Sequence, residues 1–246
     1  MRFAISPRTA PSLALLLLAT ATACRSSGEA KTTSTPPAAV AAPGAPSAAG
    51  GETVPVGGTM PADSTALRAA ADAGRIDGAP TAKLWMIVAS DFQCPYCKIW
   101  HDQTYEALRK EYVETGKMRI AYLNFPLGQH AQAMPAAEAA MCASAQGHFW
   151  PYHTALFNTQ AQWEKPGDPA PTFDSLATAT GLDLGRFRSC TQSHVMRALI
   201  AADQDRMQSR GVQSTPSFFV GNQAIAGALP AADFRKAIDA SLAQTR

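Results

Sequence analysis

Two cysteines separated by two residues, Cys94-Pro95-Tyr96-Cys97, stand directly after an apolar run from Leu84 to Ala89. The segment that follows, Lys98 to Thr115, has the spacing of an amphipathic helix. Trp100, Thr104, Leu108 and Tyr112 recur along one side, with Asp102, Glu106, Arg109 and Lys110 opposite. A thiol at the first turn of a helix faces unpaired backbone N–H groups and the positive end of the helix dipole, and both favour the thiolate. Thiolate is the form that attacks disulfides. The pair therefore predicts a dithiol/disulfide redox centre, with Cys94 the attacking sulfur and Cys97 the resolving one.

The same residues admit other chemistry. Cys94, Cys97 and His101 form C-x-x-C-x-x-x-H, with Cys97 and His101 one helical turn apart, which invites zinc or copper. No fourth ligand is evident, so the expectation is no metal, with His101 a partly exposed helix residue. His153, between Trp150 and Phe157, has the type of a general base. It is read instead as packed and hydrogen-bonded within a helical region, as are His130, His148 and His194. Phe149, Trp150, Tyr152 and Phe157 read as core of that region. No Ser/His/Asp arrangement stands out, and exchange chemistry needs no cofactor beyond the protein's own sulfurs. With 246 residues, a net charge of +2 and no basic stripe or phosphate-cradling glycine loop, the chain gives no reason to expect a nucleic-acid partner.

The elements that must position the cysteines follow from pattern. Lys83 to Ser90 predicts a buried strand and Met118 to Asn124 a second, with Gly116 as a helix C-cap between them. Strand, helix, strand makes a βαβ unit. Helical patterns fill about 129–210. Pro216 to Val220 then reads as a strand, Gly221-Asn222 as a turn, and Ala224 to Ala226 as a short return. A last helix over Pro230 to Gln244 carries Phe234, Ile238 and Leu242 on one face. The fold class is α/β: βαβ, a helical insertion, then ββα, in one domain spanning 76–246. The redox pair sits where the first strand meets its helix, the end at which α/β sheets place function.

The N-terminal segment reads as targeting. Arg2 and Arg8 precede a short apolar stretch, Leu13 to Ala19, and Ala21-Thr22-Ala23 offers small residues for cleavage, giving a signal peptide over 1–23. Ala21-Thr22-Ala23-Cys24 resembles the bacterial lipobox, with Ala21 where leucine is usual. Cys24 would then carry a lipid anchor; ordinary cleavage at the same bond would leave it a spare thiol. Residues 24–75 are rich in Ala, Pro, Gly, Ser and Thr and predict a linker of roughly 30–35 Å root-mean-square reach, with at most a weakly apolar helix over Ala66 to Ala73. Export sets a compartment where disulfides persist. Of five cysteines, Cys24 is assigned to lipid and Cys94 to Cys97. Cys142 and Cys190 remain as a structural disulfide, or as two buried thiols.

With these residues in view, the chain resembles the DsbA-like thiol:disulfide oxidoreductases, a thioredoxin fold with a helical domain inserted between its halves. Four stretches carry the resemblance: Ser90-Asp91-Phe92-Gln93-Cys94-Pro95-Tyr96-Cys97; the run from Ala136 to Cys142 leading to Phe149-Trp150-Pro151-Tyr152-His153 and Leu156-Phe157; Phe187-Arg188-Ser189-Cys190; and Gly211 to Val220. It implies a cis peptide bond at Thr215-Pro216 facing the cysteines, so that Pro95, Tyr96, Thr215 and Pro216 form an active-site loop pair where an extended substrate can bind. It implies as partners exported cysteine-containing proteins and a membrane oxidase of the DsbB or vitamin-K-epoxide-reductase type, with localisation in the periplasm or cell envelope. Membrane contact would be through the lipid anchor only.

The expected direction is oxidation. Isomerase or reductase relatives of the DsbG type share Pro95-Tyr96 and Thr215 but carry an amino-terminal dimerisation domain, and nothing before residue 76 reads as one. That direction remains the alternative, as does a non-catalytic envelope assembly factor, against which both cysteines speak. One departure stands out. The family commonly places a buried acid six residues before the first cysteine, where it moves protons for the second sulfur. Here that residue is Val88, and Asp91 is expected at the strand end and exposed. A Val88→Glu variant should resolve mixed disulfides faster than the wild type in stopped-flow turnover; equal rates would contradict a proton-handling deficit at this position.

Overall fold

The computed structural model describes residues 63–244. The expected signal peptide, Cys24 and most of the expected linker lie outside them. Five strands form one sheet in the order β1-β3-β2-β4-β5: β1 (Ile76–Asp77), β2 (Leu84–Ser90), β3 (Met118–Asn124), β4 (Ser217–Val220) and β5 (Gln223–Ala226). Strands β2 and β3 are parallel, with Val88 beside Tyr122 and Ser90 beside Asn124. The other pairings are antiparallel. A parallel pair needs a crossover, and the helix after the cysteines supplies it.

That helix begins earlier than Lys98 and is not uniformly α. Turns α2 (Pro95–Trp100) and α3 (Glu106–Leu108) alternate with π turns over His101–Tyr105 and Arg109–Val113. Gly116, at φ 71°, takes the left-handed conformation that ends it. Its apolar side packs Trp100, Leu108 and Tyr112 on Leu84, Met86 and Val88 of β2, where Phe234 and Ile238 of α10 (Ala231–Gln244) complete the layer. The opposite face of the sheet is covered by Met207 of α9 (Arg197–Gln208) and by Val212, against Ala89, Ala121 and Leu123.

Between β3 and β4 lie the inserted helices. Helix α4 (Ala133–Ser144) is buried along most of its length, because Ala136, Ala137, Ala139, Ala140 and Ala143 let neighbours approach closely. Phe149, Tyr152, Leu156 and Phe157 of α5 (Phe149–Asn158) pack in the same core, together with Trp163 of α6 (Gln160–Trp163), Phe173 of α7 (Ala170–Ala179) and Phe187 of α8 (Leu184–Ser193). A Cys142–Cys190 disulfide joins α4 to α8. Closing a loop of sequence separation 48 stabilises a fold by at most about 4 kcal/mol in the chain-entropy picture.

Residues 64–74, assigned to the expected linker, form a helix instead. Helix α1 (Ser64–Gly74), capped by Asp63 through Thr65 N–H, buries Leu67 and Ala71 in the insertion core. Gly74 meets Ser144 of α4 so closely that an added Cβ would lie 2.6 Å from its carbonyl oxygen. Just after α1, the buried Arg75 guanidinium binds Asp72 and the fully buried Asp203 of α9. Asp203 also accepts from the backbone N–H of Asn124 at 3.1 Å and from its side-chain amide at 3.2 Å. One carboxylate thus ties α1, β3 and α9 together.

Candidate active site

Cys94 is the N-cap of α2, in extended conformation (φ −69°, ψ 124°), and Pro95 fills the first helical position, where its missing N–H removes no bond. No side chain caps this end. The backbone N–H groups of Tyr96 and Cys97 are therefore left for the Cys94 sulfur. Both cysteines are free thiols and buried, at 3% exposure for Cys94 and 1% for Cys97. Across from them the Thr215–Pro216 bond is cis, and the Thr215 carbonyl lies 3.5 Å from Cys94 Sγ. Tyr96, Ile99 and Leu229 are the large hydrophobic side chains left exposed among the described residues. Thr104 donates to the Leu229 carbonyl at 3.2 Å, tying that loop to the active-site helix.

The two sulfurs are pushed apart electrostatically. The Cys94 thiol is lowered to about 6, chiefly because Cys97 donates a hydrogen bond to it; burial opposes this, and the Thr215 side chain and the two backbone N–H groups add to the lowering. Cys97 is pushed well above the ordinary thiol range by burial and by the Cys94 sulfur beside it. At neutral pH the pair holds one thiolate and one thiol. A depressed pKa in the folded state contributes stability that is present above the unfolded thiol's pKa and lost as pH falls through the folded value. The reduced protein should therefore gain stability over its Cys94–Cys97 disulfide form as pH rises from about 6 towards 9, measured by urea unfolding of each form. No divergence over that window would contradict the assignment.

Side chains from the insertion hold the loop. Gln160 donates to the carbonyls of Phe92 at 2.7 Å and Cys94 at 3.3 Å. Gln93 donates to the Glu164 carbonyl at 2.9 Å and accepts from Gln132 N–H at 2.6 Å. Nothing in the pattern of a single sequence marks Gln160, because its role depends on where the inserted helices return.

Asp91 is buried, not exposed at a strand end, because three donors surround its carboxylate: Gln93 N–H, Leu127 N–H and the His130 ring. His101 is likewise buried, 8% exposed. The π turn brings its ring against Phe157, Tyr105 and His153, at centroid distances of 4.9, 5.7 and 5.3 Å, while its Nδ1 sits 3.0 Å from Asp102. His153 is fully enclosed by aromatic rings, yet its Nδ1 has no hydrogen-bond partner among the described residues. Burial first, then His101, holds it well below the usual imidazole range, so it is neutral. His194 is half-exposed and pairs with Glu138 instead of packing. His148 bonds the Thr180 carbonyl at 2.8 Å. Among the described residues no group of three or more His, Cys, Asp or Glu is placed to hold a metal ion.

A thiolate that is both a ready nucleophile and a stable leaving group, backed by a thiol that ionises with difficulty, is suited to disulfide exchange. Set on this sheet, with helices inserted before the last hairpin, it makes the protein a DsbA-like thiol:disulfide oxidoreductase of thioredoxin fold. The chain belongs to the thioredoxin family, whose model, described as Thioredoxin, matches residues 70–240. It is 28% identical over 174 residues to the probable disulfide bond formation protein D of Bacillus cereus, covering 67% of this chain and 77% of that protein. Oxidised BdbD from Bacillus subtilis superposes with a TM-score of 0.63 at 20% identity, over 70% of this chain and 94% of that one. Wolbachia pipientis α-DsbA1 gives 0.62 at 22% identity, over 69% and 91%. At such identities the structural likenesses concern the fold.

Proposed function

We propose that this protein is an exported oxidase that inserts disulfides into envelope proteins through Cys94 and Cys97. The observation that carries the reading is the placement of the sulfurs: Cys94 stands at the start of α2 with no side chain capping it, facing the cis Thr215–Pro216 bond, and Cys97 is buried behind it. This arrangement lowers the Cys94 thiol to about 6 and raises Cys97. In the oxidising direction a substrate thiolate attacks Cys94 of the Cys94–Cys97 disulfide, and Cys97 departs and takes up a proton. A second substrate thiolate then attacks the substrate sulfur bonded to Cys94. Cys94 leaves as a thiolate, and its low pKa makes that departure easy.

Several features support a polypeptide substrate. The Thr215 carbonyl beside Cys94 offers an acceptor to an extended chain. A cleft of about 490 Å³, lined by Phe125, Leu127, Gln204, Gln208 and Gln213 among others, follows the segment leading into Thr215. Tyr96, Ile99 and Leu229 supply exposed apolar surface. A membrane quinone-linked oxidase of the DsbB or vitamin-K-epoxide-reductase type would regenerate the disulfide, and a lipid on Cys24 would hold the protein at the membrane. No helix among the described residues is long and apolar enough to cross one.

The test of direction compares oxidation of a reduced two-cysteine peptide with reduction of insulin. Faster peptide oxidation is expected. A protein that reduces insulin well but oxidises the peptide poorly would overturn the reading in favour of a reductase.

A further inference from the structure

The turn that carries the attacking cysteine is held by the inserted helices at three consecutive residues. Gln160, the first residue of α6, donates its side-chain amide to the Phe92 carbonyl at 2.7 Å and to the Cys94 carbonyl at 3.3 Å. Gln93, between them, reaches in the opposite sense. Its amide donates to the Glu164 carbonyl at 2.9 Å, and its side-chain oxygen accepts from the N–H of Gln132, the N-cap of α4, at 2.6 Å. We propose that Gln93 and Gln160 form a reciprocal amide clamp that positions Cys94 and sets how readily its sulfur reacts. The inference rests on the oxidoreductase reading and deepens it, giving the inserted helices a part in the exchange chemistry.

Packing alone does not account for Gln160. The residue is 4% exposed, and a buried amide is costly unless its hydrogen bonds are made, whereas a leucine would fill similar space without that cost. Both of its hydrogen bonds end on the backbone of the cysteine turn. The Cys94 carbonyl already accepts from Lys98 N–H at 3.2 Å, the first bond of the helix. A second donor from Gln160 fixes the plane of that peptide, and so the ψ of 124° at Cys94. No side chain caps this helix end and Pro95 has no N–H, so the backbone donors left to the sulfur are those of Tyr96 and Cys97. Rotating the Cys94 peptide carries the sulfur off those donors, and the thiolate loses the stabilisation that a helix start provides.

The clamp is separable from the packing of α6. At the far end of that single turn Trp163, 2% exposed, donates its indole N–H to the Leu156 carbonyl at 3.0 Å and meets the Phe173 ring at a centroid distance of 5.6 Å. These contacts hold α6 to α5 and α7 and do not involve the cysteine turn.

The pH profile of Cys94 alkylation by iodoacetamide reads the effect. The Cys94 thiolate forms an S–C bond as the C–I bond breaks, and iodide leaves with the electron pair; peptide mapping by mass spectrometry locates the adduct. Gln160→Leu removes the donors at similar volume. At pH 5 it should alkylate about three- to tenfold more slowly than the wild type, a loss of thiolate fraction equal to at most about one pKa unit. At pH 8.5, where Cys94 is ionised in both proteins, the rates should agree within about twofold. Gln93→Leu should shift the profile in the same direction. The double variant should lose no more at pH 5 than the larger single loss, because the two side chains hold one turn. Trp163→Phe should keep the wild-type profile whatever it does to stability.

An unshifted profile in Gln160→Leu, losses that multiply in the double variant, or an equal shift in Trp163→Phe overturns the inference. If Gln160→Leu loses its native circular dichroism, Gln160→Met carries the same comparison. A wild type that alkylates with a midpoint near about pH 8.5, as an unperturbed thiol does, would overturn the oxidoreductase reading as well. An acidic wild-type midpoint that Gln160→Leu leaves in place overturns the clamp alone.

Discussion

Cys94→Ser should abolish exchange, with oxidation of a reduced two-cysteine peptide falling at least about a thousandfold, because a serine hydroxyl is neither ionised at neutral pH nor able to form the mixed disulfide. Cys97→Ser should behave differently. The Cys94 thiolate keeps the N–H groups of Tyr96 and Cys97's backbone and the Thr215 side chain, but it loses the Cys97 thiol that contributes most to its low pKa. It should still attack a disulfide, at a lower rate at pH 6, and then accumulate as a stable mixed disulfide because nothing resolves it. Mass spectrometry of the trapped species distinguishes the roles. A Cys97→Ser protein that turns over, or a Cys94→Ser protein that traps substrate, would reverse the assignment.

Asp203→Ala should cost about 3–5 kcal/mol of stability, the usual penalty for breaking a buried ion pair and leaving one charge uncompensated. The Arg75 guanidinium would stay buried, 2% exposed, with Asp72 alone, and the Asn124 backbone N–H would lose its acceptor. Asp203→Asn, which keeps an acceptor, should lose less. The contrast is Asp102, about two-fifths exposed and paired with Lys98 at 2.9 Å. Its replacement by alanine should cost no more than about 1 kcal/mol, as exposed pairs do. Urea unfolding of the three variants in one redox state reads the difference. Equal losses for Asp203→Ala and Asp102→Ala would contradict a load placed on the buried network.

Strand β2 is buried along most of its length, so Leu84 to Ala89 reads as an unbroken apolar run, and in β3 the apolar residues from Ile120 to Leu123 mark a strand whose observed bounds, Met118–Asn124, match the expectation. The cysteines, their helix and the strand after Pro216 follow from local pattern. Helix α1 has a weak sequence signal because only Leu67 and Ala71 are buried, and its support comes from contact with Ser144, far along the chain. β1 has two residues and no periodicity to detect. The burial of His101 depends on π turns that break the spacing of an α-helix. Asp91 reads as exposed because carboxylates usually are, and two of the three donors that make its burial tolerable lie in a loop beyond β3. For α1 and Asp91 the missing information is long-range; for β1 and His101 it is local geometry with no periodic signature.

The claim that Cys94 is held as a stable thiolate, and that this makes its disulfide oxidising, is tested most directly by equilibrating the protein with reduced and oxidised glutathione at pH 7. Stabilising the reduced form raises the reduction potential. The expected result is a potential well above thioredoxin's, about −200 mV or higher on a scale running from about −270 mV for thioredoxin to about −120 mV for DsbA. A potential at or below about −270 mV would mean that the thiolate is not favoured in the folded protein, and would contradict the oxidase reading.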